Sequence, residues 1–282
     1  MSLGAWAYLI LFAIGVIVLR IAYRKIRSSS LFILYFTVTG TTLLFDYIIY
    51  LWGKAYVYKV GVLHNELDSH LGAMVNGLVL PSFAVLFVFK RCKWYWSIPL
   101  ALFFTLIELI FTKWGIFKTN WWNPFYTVIG LTIYFPVARL WWNHLTKKWI
   151  HFGTLLLSFY GIFIPFHFLL HAVLKIRTYH IEWIEQLNRG SSAITTPTAL
   201  IFAILLAYLC IVQARNGWFH FIVVCYIAYD LVLKYVGVVS AKHSILDSFL
   251  SFLTFYLGYL FVRFADKKIK DLSHRKEKPM LR

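Results

Sequence analysis

The chain has few charged residues. Asp, Glu, Lys and Arg make up 14% of its 282 residues, whereas a soluble domain usually carries about a quarter. Three cysteines are too few for a disulfide-stapled secreted protein. Apolar residues account for 61%, and a globular protein in water cannot cover a surface with that composition. The composition therefore excludes a soluble enzyme and a disordered chain, and it predicts a protein embedded in a bilayer.

Negative charge is the scarcer sign. The chain has 11 Asp and Glu against 28 Lys and Arg, which gives a net charge of +17. In a soluble protein this excess would point to nucleic acid. In a membrane protein it reflects orientation, because cytoplasmic loops collect Lys and Arg. We therefore expect membrane lipids as partners and no nucleic acid.

Nine windows are long and apolar enough to span a bilayer, which takes about 20 residues each. They cover residues 4–23, 30–52, 71–89, 97–113, 124–143, 151–174, 197–213, 218–239 and 244–264. No connector could hold a soluble domain. The predicted fold is an all-α polytopic transmembrane helix bundle, with a single transmembrane domain over residues 1–264 and a basic cytoplasmic tail over 265–282.

The basic residues predict the orientation. Of the 28 Lys and Arg, 19 lie in or beside the connectors that follow spans 1, 3, 5, 7 and 9. Since Lys and Arg are enriched on the cytoplasmic side, the N-terminus is expected outside and the tail inside. The interpretation is a multi-pass protein of the plasma membrane.

The acidic residues gather on the opposite side. Eight of the eleven lie in outer connectors or in the outer part of a span. Asp46, Glu108 and Asp230 lie within spans, where ionisable groups are costly and usually face the bundle interior or water. They predict a set of carboxyl groups around an outward-facing cavity, where they would carry protons, bind cations or take part in catalysis. The alternative for Asp230 is an ion pair with Lys234, four residues further along the same helix.

Histidines suggest a second kind of site. The chain places three pairs of potential ligands four residues apart near the outer face, which suits chelation of a divalent transition metal. These pairs are His167 with His171, His64 with Asp68, and His243 with Asp247. The alternatives are interfacial histidines bound to headgroups or water, and helix capping by Asp68 and Asp247.

Two segments of the chain are alike. The stretch from Asp46 to Asp68 and the stretch from Asp230 to Asp247 each join an acidic helix end to a His-x-x-x-Asp-Ser sequence. This pattern suggests an internal duplication of the kind found in many transporters.

Residues 81–143 resemble an uncharacterised family of small multi-pass membrane proteins from spore-forming bacteria. The resemblance is carried by Pro81, Ile107-Glu108, Lys113-Trp114-Gly115, Asn120-Trp121-Trp122 and Tyr126-Thr127. It implies an integral protein of the bacterial plasma membrane. It implies no activity and no site residues.

Three functions fit these observations. The first is a polar site at the extracytoplasmic face that acts on or binds a lipid-linked or exported substrate. In its enzymatic form, His167, His171 and one His/Asp pair hold a metal and Glu108 is the general base. The second is a proton- or cation-coupled transporter using Asp46, Glu108 and Asp230, although few spans carry the Gly/Pro breaks typical of carriers. The third is a membrane sensor or accessory subunit.

Overall fold

The computed structural model describes residues 2–63, 65–170, 174, 176–179 and 190–277. These residues contain nine α-helices, and eight of them are long and apolar enough to cross a membrane. The predicted helical fold is thus confirmed, and the eight apolar helices fit an integral membrane protein. The ninth helix, residues 124–143, does not meet the same apolarity, so the count of nine spans and the orientation stay predictions.

The chain divides into two compact units, Met1–His144 and Leu145–Arg282. The first unit contains α1 Leu3–Ile26, α2 Ser30–Asp46, β1 Tyr56–Tyr58, α3 Asn65–Phe89, α4 Ser97–Lys113, β2 Phe117–Thr119 and α5 Pro124–Asn143. The second contains α6 Lys148–Phe168, β3 Arg177–Tyr179, α7 Gly190–Ile211, α8 Asn216–Tyr235, β4 Val239–Ala241 and α9 Ser244–Glu277.

The four short strands correct the expectation of a purely helical chain. In the first unit β1 pairs antiparallel with β2, and Tyr56 lies opposite Thr119. In the second unit β3 pairs antiparallel with β4, and Arg177 lies opposite Ala241. Each sheet joins two connectors that the sequence places outside. Strand pairing satisfies backbone groups that would otherwise be unpaired close to the bilayer.

Both units have the same order of elements. After α1, the series helix–strand–helix–helix–strand–helix runs through α2–α5 and again through α6–α9. The turn from the third helix of each series into its second strand needs a left-handed residue, which is Gly115 at φ +69° and Gly237 at φ +76°. The chain therefore carries an internal repeat.

This repeat has a different register from the one that the sequence suggested. The sequence matched the stretch from Asp46 to Asp68 with the stretch from Asp230 to Asp247. In the structure the first contains β1, the first strand of its unit, and the second contains β4, the second strand of its unit. Every connector of the helix–strand–helix type ends a helix and opens the next, so the local pattern alone did not distinguish them.

The helices pack differently in the two units. In the first, α1 and α2 both pack along α3, and α4 packs along α5. In the second, α6 packs along both α7 and α9. The first-unit helices at the equivalent places, α2 and α5, have hardly any backbone contact. Space is therefore left between α2 and α5, whereas the equivalent helices α6 and α9 are in close contact.

Candidate functional site

The first unit encloses a cavity of about 420 Å³. Every residue that lines it belongs to this unit, and most are apolar or aromatic. They are Tyr8, Leu11, Thr41, Thr42, Phe45, Asp46, Tyr56, Tyr58, Asn76, Leu80, Phe104, Ile107, Glu108, Phe111, Phe117, Trp122, Tyr126, Thr127, Gly130, Leu131, Ile133 and Tyr134. Two of the three carboxyl groups predicted within spans, Asp46 and Glu108, therefore do converge on one cavity.

Asp46 lies at the end of α2, where the helix widens into a π-helical turn over Tyr47–Trp52. Its carboxyl group is buried and accepts hydrogen bonds from the phenols of Tyr56 and Tyr58 on β1. Burial and the nearby Asp46 raise the pKa of both phenols well above the ordinary value, so both stay protonated donors. Asp46 is thus held by neutral donors.

Glu108 lies on α4 and is held from α5. The indole of Trp122 donates to the Thr127 hydroxyl at 2.9 Å, and that hydroxyl lies 2.5 Å from Glu108 Oε2. Since an indole N–H can only donate, the single proton of Thr127 is directed to Glu108. The other oxygen, Glu108 Oε1, is buried and has no hydrogen-bond partner among the described residues. One carboxyl oxygen is therefore left for another donor.

Among the residues that the structure describes, none that lines the cavity would neutralise these acids. The described lining includes no Lys, Arg or His. Neither Asp46 nor Glu108 forms an ion pair with any residue that the structure describes. Acids inside a membrane bundle usually pair with a cation or a backbone group. Two acids without a cation, surrounded by aromatic rings, make the cavity attractive to positive charge.

The rim of the cavity is apolar and exposed. Phe45 on α2 is 55% exposed, and Tyr126 and Ile133 on α5 are 48% and 56% exposed. An exposed apolar rim next to buried acids suits a ligand with a charged end and an apolar body.

Asp230, the third acid predicted within a span, forms an ion cluster with Asp247 and two basic residues in the second unit. Arg177 from β3 donates from Nε and Nη2 to Asp247 at 2.9 and 2.8 Å, and from Nη2 to Asp230 at 2.6 Å. Lys234 Nζ lies 3.0 Å from Asp230 and 2.7 Å from Asp247. The predicted pairing of Asp230 with Lys234 is thus present, and it belongs to a larger network with two acids and two bases.

Arg177 is the centre of this cluster. It is 2% exposed, and the hydroxyl of Tyr179 lies 3.5 Å from its Nη1. Burial lowers the pKa of the guanidinium, but its hydrogen bonds with Asp247 and the surrounding carboxylates outweigh this and raise the pKa above the ordinary value. The cluster is therefore an ion-paired core and not an open site.

His167 is a core residue. It is 4% exposed, its ring lies 4.1 Å from that of Phe163, and its Nε2 lies 3.1 Å from the Tyr226 hydroxyl. Tyr226 in turn lies 2.7 Å from Ser251 Oγ. The histidine contributes to a polar network between α6, α8 and α9.

The predicted metal ligands do not assemble within the described residues. His64 and His171 lie outside those residues. His243 is exposed, and Asp247, its partner in the predicted chelate, is directed to Arg177 and Lys234. Within the described ranges no group of three His, Cys, Asp or Glu could hold a metal ion. A metal site that uses His64 or His171 stays a prediction.

Asp68 has a structural role in the first unit. Its carboxylate accepts hydrogen bonds from the backbone N–H groups of Gly61, Val62 and Leu63 at 2.7, 2.9 and 3.1 Å. These donors precede α3, which begins at Asn65, so Asp68 binds the connector before its helix and does not accept from first-turn N–H groups as a helix cap would.

Replacing Asp68 by Ala should therefore lower stability by about 2–3 kcal/mol, since three backbone N–H groups lose a charged acceptor at once. Thermal unfolding in detergent measures the change. Asp271→Asn, at an exposed position of α9, is the control and should unfold like the wild type. An unchanged melting temperature for Asp68→Ala, or one that responds to zinc in the wild type and not in the variant, would contradict this structural role.

Sequence reasoning missed three residues that organise these sites. Tyr56 holds Asp46, Thr127 holds Glu108, and Arg177 neutralises Asp230 and Asp247. Tyr56 and Arg177 lie on strands of three residues, which are too short for hydropathy to detect. One signal of the repeat was present in the sequence, because Gly115 follows Glu108 by seven residues and Gly237 follows Asp230 by the same number.

No protein-family model, curated protein or solved structure matches the chain. No family is therefore assigned, and the resemblance of residues 81–143 stays a hypothesis. The functional argument depends on the geometry of the cavity.

Proposed function

We propose that the protein is an integral plasma-membrane protein whose first unit binds an organic cation with an apolar body at the extracytoplasmic face. The observation that carries the proposal is the presence of Asp46 and Glu108 in one aromatic cavity, with no basic residue among the described residues that line it. A cation would supply the missing partner for both acids.

The size of the cavity supports a small organic molecule. Its volume of about 420 Å³ lies within the range of roughly 300–1,000 Å³ that small-molecule sites occupy. A bare metal ion would leave most of this space empty and would find no third carboxylate or imidazole in the part of the lining that the structure describes. An organic cation fills the apolar part and pairs with the acids.

The aromatic lining supports a cation in particular. The faces of aromatic rings attract positive charge, and each contact contributes about 0.5–2 kcal/mol depending on desolvation. Tyr8, Phe111, Trp122 and Tyr126 all line the cavity near the two carboxyl groups. A neutral ligand would gain burial but neither this attraction nor the ion pairs.

The outer location follows from the charge distribution. β1 and β2 lie in connectors that the excess of Lys and Arg on the other side places outside. The cavity lies at the strand end of the unit, because Asp46 ends α2 just before β1 and Glu108 lies one turn from the end of α4 before β2. Binding from this side is the first step of either transport or sensing.

The proposal is tested with three ligands that share a body and differ in charge. 4-Phenylbutylamine is a cation at neutral pH, 4-phenylbutan-1-ol is neutral and 4-phenylbutyrate is an anion. Calorimetry on the protein in lipid nanodiscs should show the alcohol binding at least ~10-fold more weakly than the amine, since the ion pair contributes more than about 1.4 kcal/mol. The anion should not bind.

The control variant is Thr42→Phe. Thr42 lines the cavity, and a phenyl ring there would occupy the space beside Tyr134. It should abolish binding of the amine, while empty nanodiscs give the lipid background. Equal affinities for the three ligands, or amine binding that survives Thr42→Phe, would overturn the proposal.

A further inference from the structure

The internal repeat allows the two units to be compared residue by residue. After the second helix of the first unit, Gly53 N–H donates to Ile48 O, and Leu174 N–H donates to Leu169 O after α6, both at 3.0 Å. The match continues into the strands, because β1 begins three residues after Gly53 and β3 begins three residues after Leu174. These stretches are therefore equivalent at an offset of 121 residues, which follows from the bonded positions.

The second halves of the units match as closely. Gly115 N–H donates to Thr112 O at 3.0 Å, and Gly237 N–H donates to Lys234 O at 3.1 Å, an offset of 122 residues. Counting back from these glycines at the same offset makes Glu108 the equivalent of Asp230.

Two further pairs follow from position in the elements. Thr127 and Asp247 are each the fourth residue of their helices, α5 and α9. Tyr56 and Arg177 are each the first residue of their strands, β1 and β3. The acid on α4 and its partner on α5 thus have equivalents that both bind Arg177 in the second unit.

Asp46 completes the comparison. It precedes Tyr56 by the same number of residues as His167 precedes Arg177. Each unit therefore carries two carboxyl groups, of which only Glu108 and Asp230 occupy equivalent positions. The equivalent of Asp46 is His167, and the equivalent of Asp247 is Thr127. The second unit supplies a guanidinium to its acids, and the first has a phenol at that place.

The contacts of Arg177 define what the second unit accepts. The guanidinium lies in a two-point hydrogen-bonded arrangement with Asp247, reaches Asp230 through the same Nη2, and approaches the ring of Tyr179 at 5.9 Å. Tyr58 is the strand residue equivalent to Tyr179 and lines the cavity of the first unit. Planar N–H donors, and not only a positive charge, satisfy this set of acceptors.

We infer that the cavity of the first unit is selective for a guanidinium head group, and that Arg177 is the chain's own occupant of the equivalent place in the second unit. This inference rests on the proposed function, since it specifies the head group of the cation. Glu108 Oε1, which has no partner among the described residues, is an acceptor for one of its N–H groups. A quaternary ammonium ion has no N–H to offer.

The test on the wild-type protein compares three permanent or protonated cations on one body. They are 4-phenylbutylguanidine, 4-phenylbutylamine and 4-phenylbutyltrimethylammonium. In nanodisc calorimetry we expect the guanidine to bind about 10-fold more tightly than the amine and about 30-fold more tightly than the trimethylammonium compound. If the trimethylammonium or amine compound binds as tightly as the guanidine, this inference fails while the proposed function stands. If none of the three binds, the proposed function fails as well.

A variant tests the equivalence of Tyr56 and Arg177. Tyr56→Arg places a tethered guanidinium beside Asp46 and should lower the affinity for 4-phenylbutylguanidine at least 30-fold. Val57→Arg adds the same group to the opposite face of β1 and should leave the affinity within about twofold, since neighbouring strand residues point to opposite sides. Thermal unfolding verifies that each variant folds. A folded Tyr56→Arg protein with unchanged affinity would overturn the equivalence, and the ligand series decides the matter if that variant does not fold.

Discussion

The variant Glu108→Gln is expected to bind 4-phenylbutylamine between about 30-fold and several thousand-fold more weakly than the wild type. Removing one partner of a desolvated, hydrogen-bonded charge pair costs about 2–5 kcal/mol. Glutamine keeps the shape of the side chain and can still accept from Thr127, whose hydroxyl lies 2.5 Å from Oε2. The loss therefore measures the charge at this position, and calorimetry in nanodiscs gives it directly.

Two further variants show whether the affinity depends on the acids of the cavity or on the overall charge of the protein. Asp271→Asn removes one negative charge from an exposed position of α9 outside the cavity and should change the affinity by less than about twofold. Asp46→Asn removes the other acid of the cavity and should resemble Glu108→Gln, since Tyr56 and Tyr58 can still donate to the amide oxygen. Wild-type affinity in both cavity variants would show that the acids have no part in binding.

The prediction that Asp46 and Glu108 line one cavity came from the cost of burying an ionisable group within a membrane span. An acid within a span must face a polar interior, and both lie near the outer ends of apolar helices. That argument does not say which helices are neighbours. Asp230 satisfies the same criterion, yet it pairs with Arg177 and Lys234 in the second unit. The arginine that decides this outcome lies on β3, a strand of three residues that is too short to give a hydropathy pattern.

The repeat shows why the sequence conceals the relation between the units. Equivalent positions carry residues of different chemistry, such as Tyr56 and Arg177 or Asp46 and His167. What persists is backbone geometry, above all the left-handed turn at Gly115 and Gly237. Turn geometry limits the residue at one position, whereas a buried acid only requires some compensating partner, and that partner can change type or place.

Aromatic side chains fill the place in the second unit that corresponds to the cavity of the first unit. In the second unit the rings of Phe163 on α6, Tyr226 on α8 and Phe255 on α9 lie within 6.4 Å of one another and fill the centre. At the place equivalent to Phe163 the first unit has Thr42, which lines its cavity. A small side chain between α2 and α5 therefore leaves the space that a ligand could fill.

The variant Arg177→Leu is expected to destabilise the protein by about 3–5 kcal/mol. The guanidinium is 2% exposed and bonds both Asp230 and Asp247, so its removal leaves two buried carboxylates with Lys234 as their only cation within the described residues. Breaking a buried ion network from one side costs far more than the network contributes when intact. Unfolding by SDS in mixed micelles measures the free energy of unfolding.

Two comparisons make this expectation specific to the network. Lys242→Leu removes an exposed base beside β4 and should change the free energy of unfolding by less than about 0.5 kcal/mol. The double variant Arg177→Leu, Asp247→Asn should recover part of the loss, because it removes one of the carboxylates that the leucine leaves unpaired. If Arg177→Leu were as stable as Lys242→Leu, or if the second substitution only added to the first, the acids of the second unit would not depend on Arg177, and its guanidinium would no longer serve as the pattern for a ligand of the first unit.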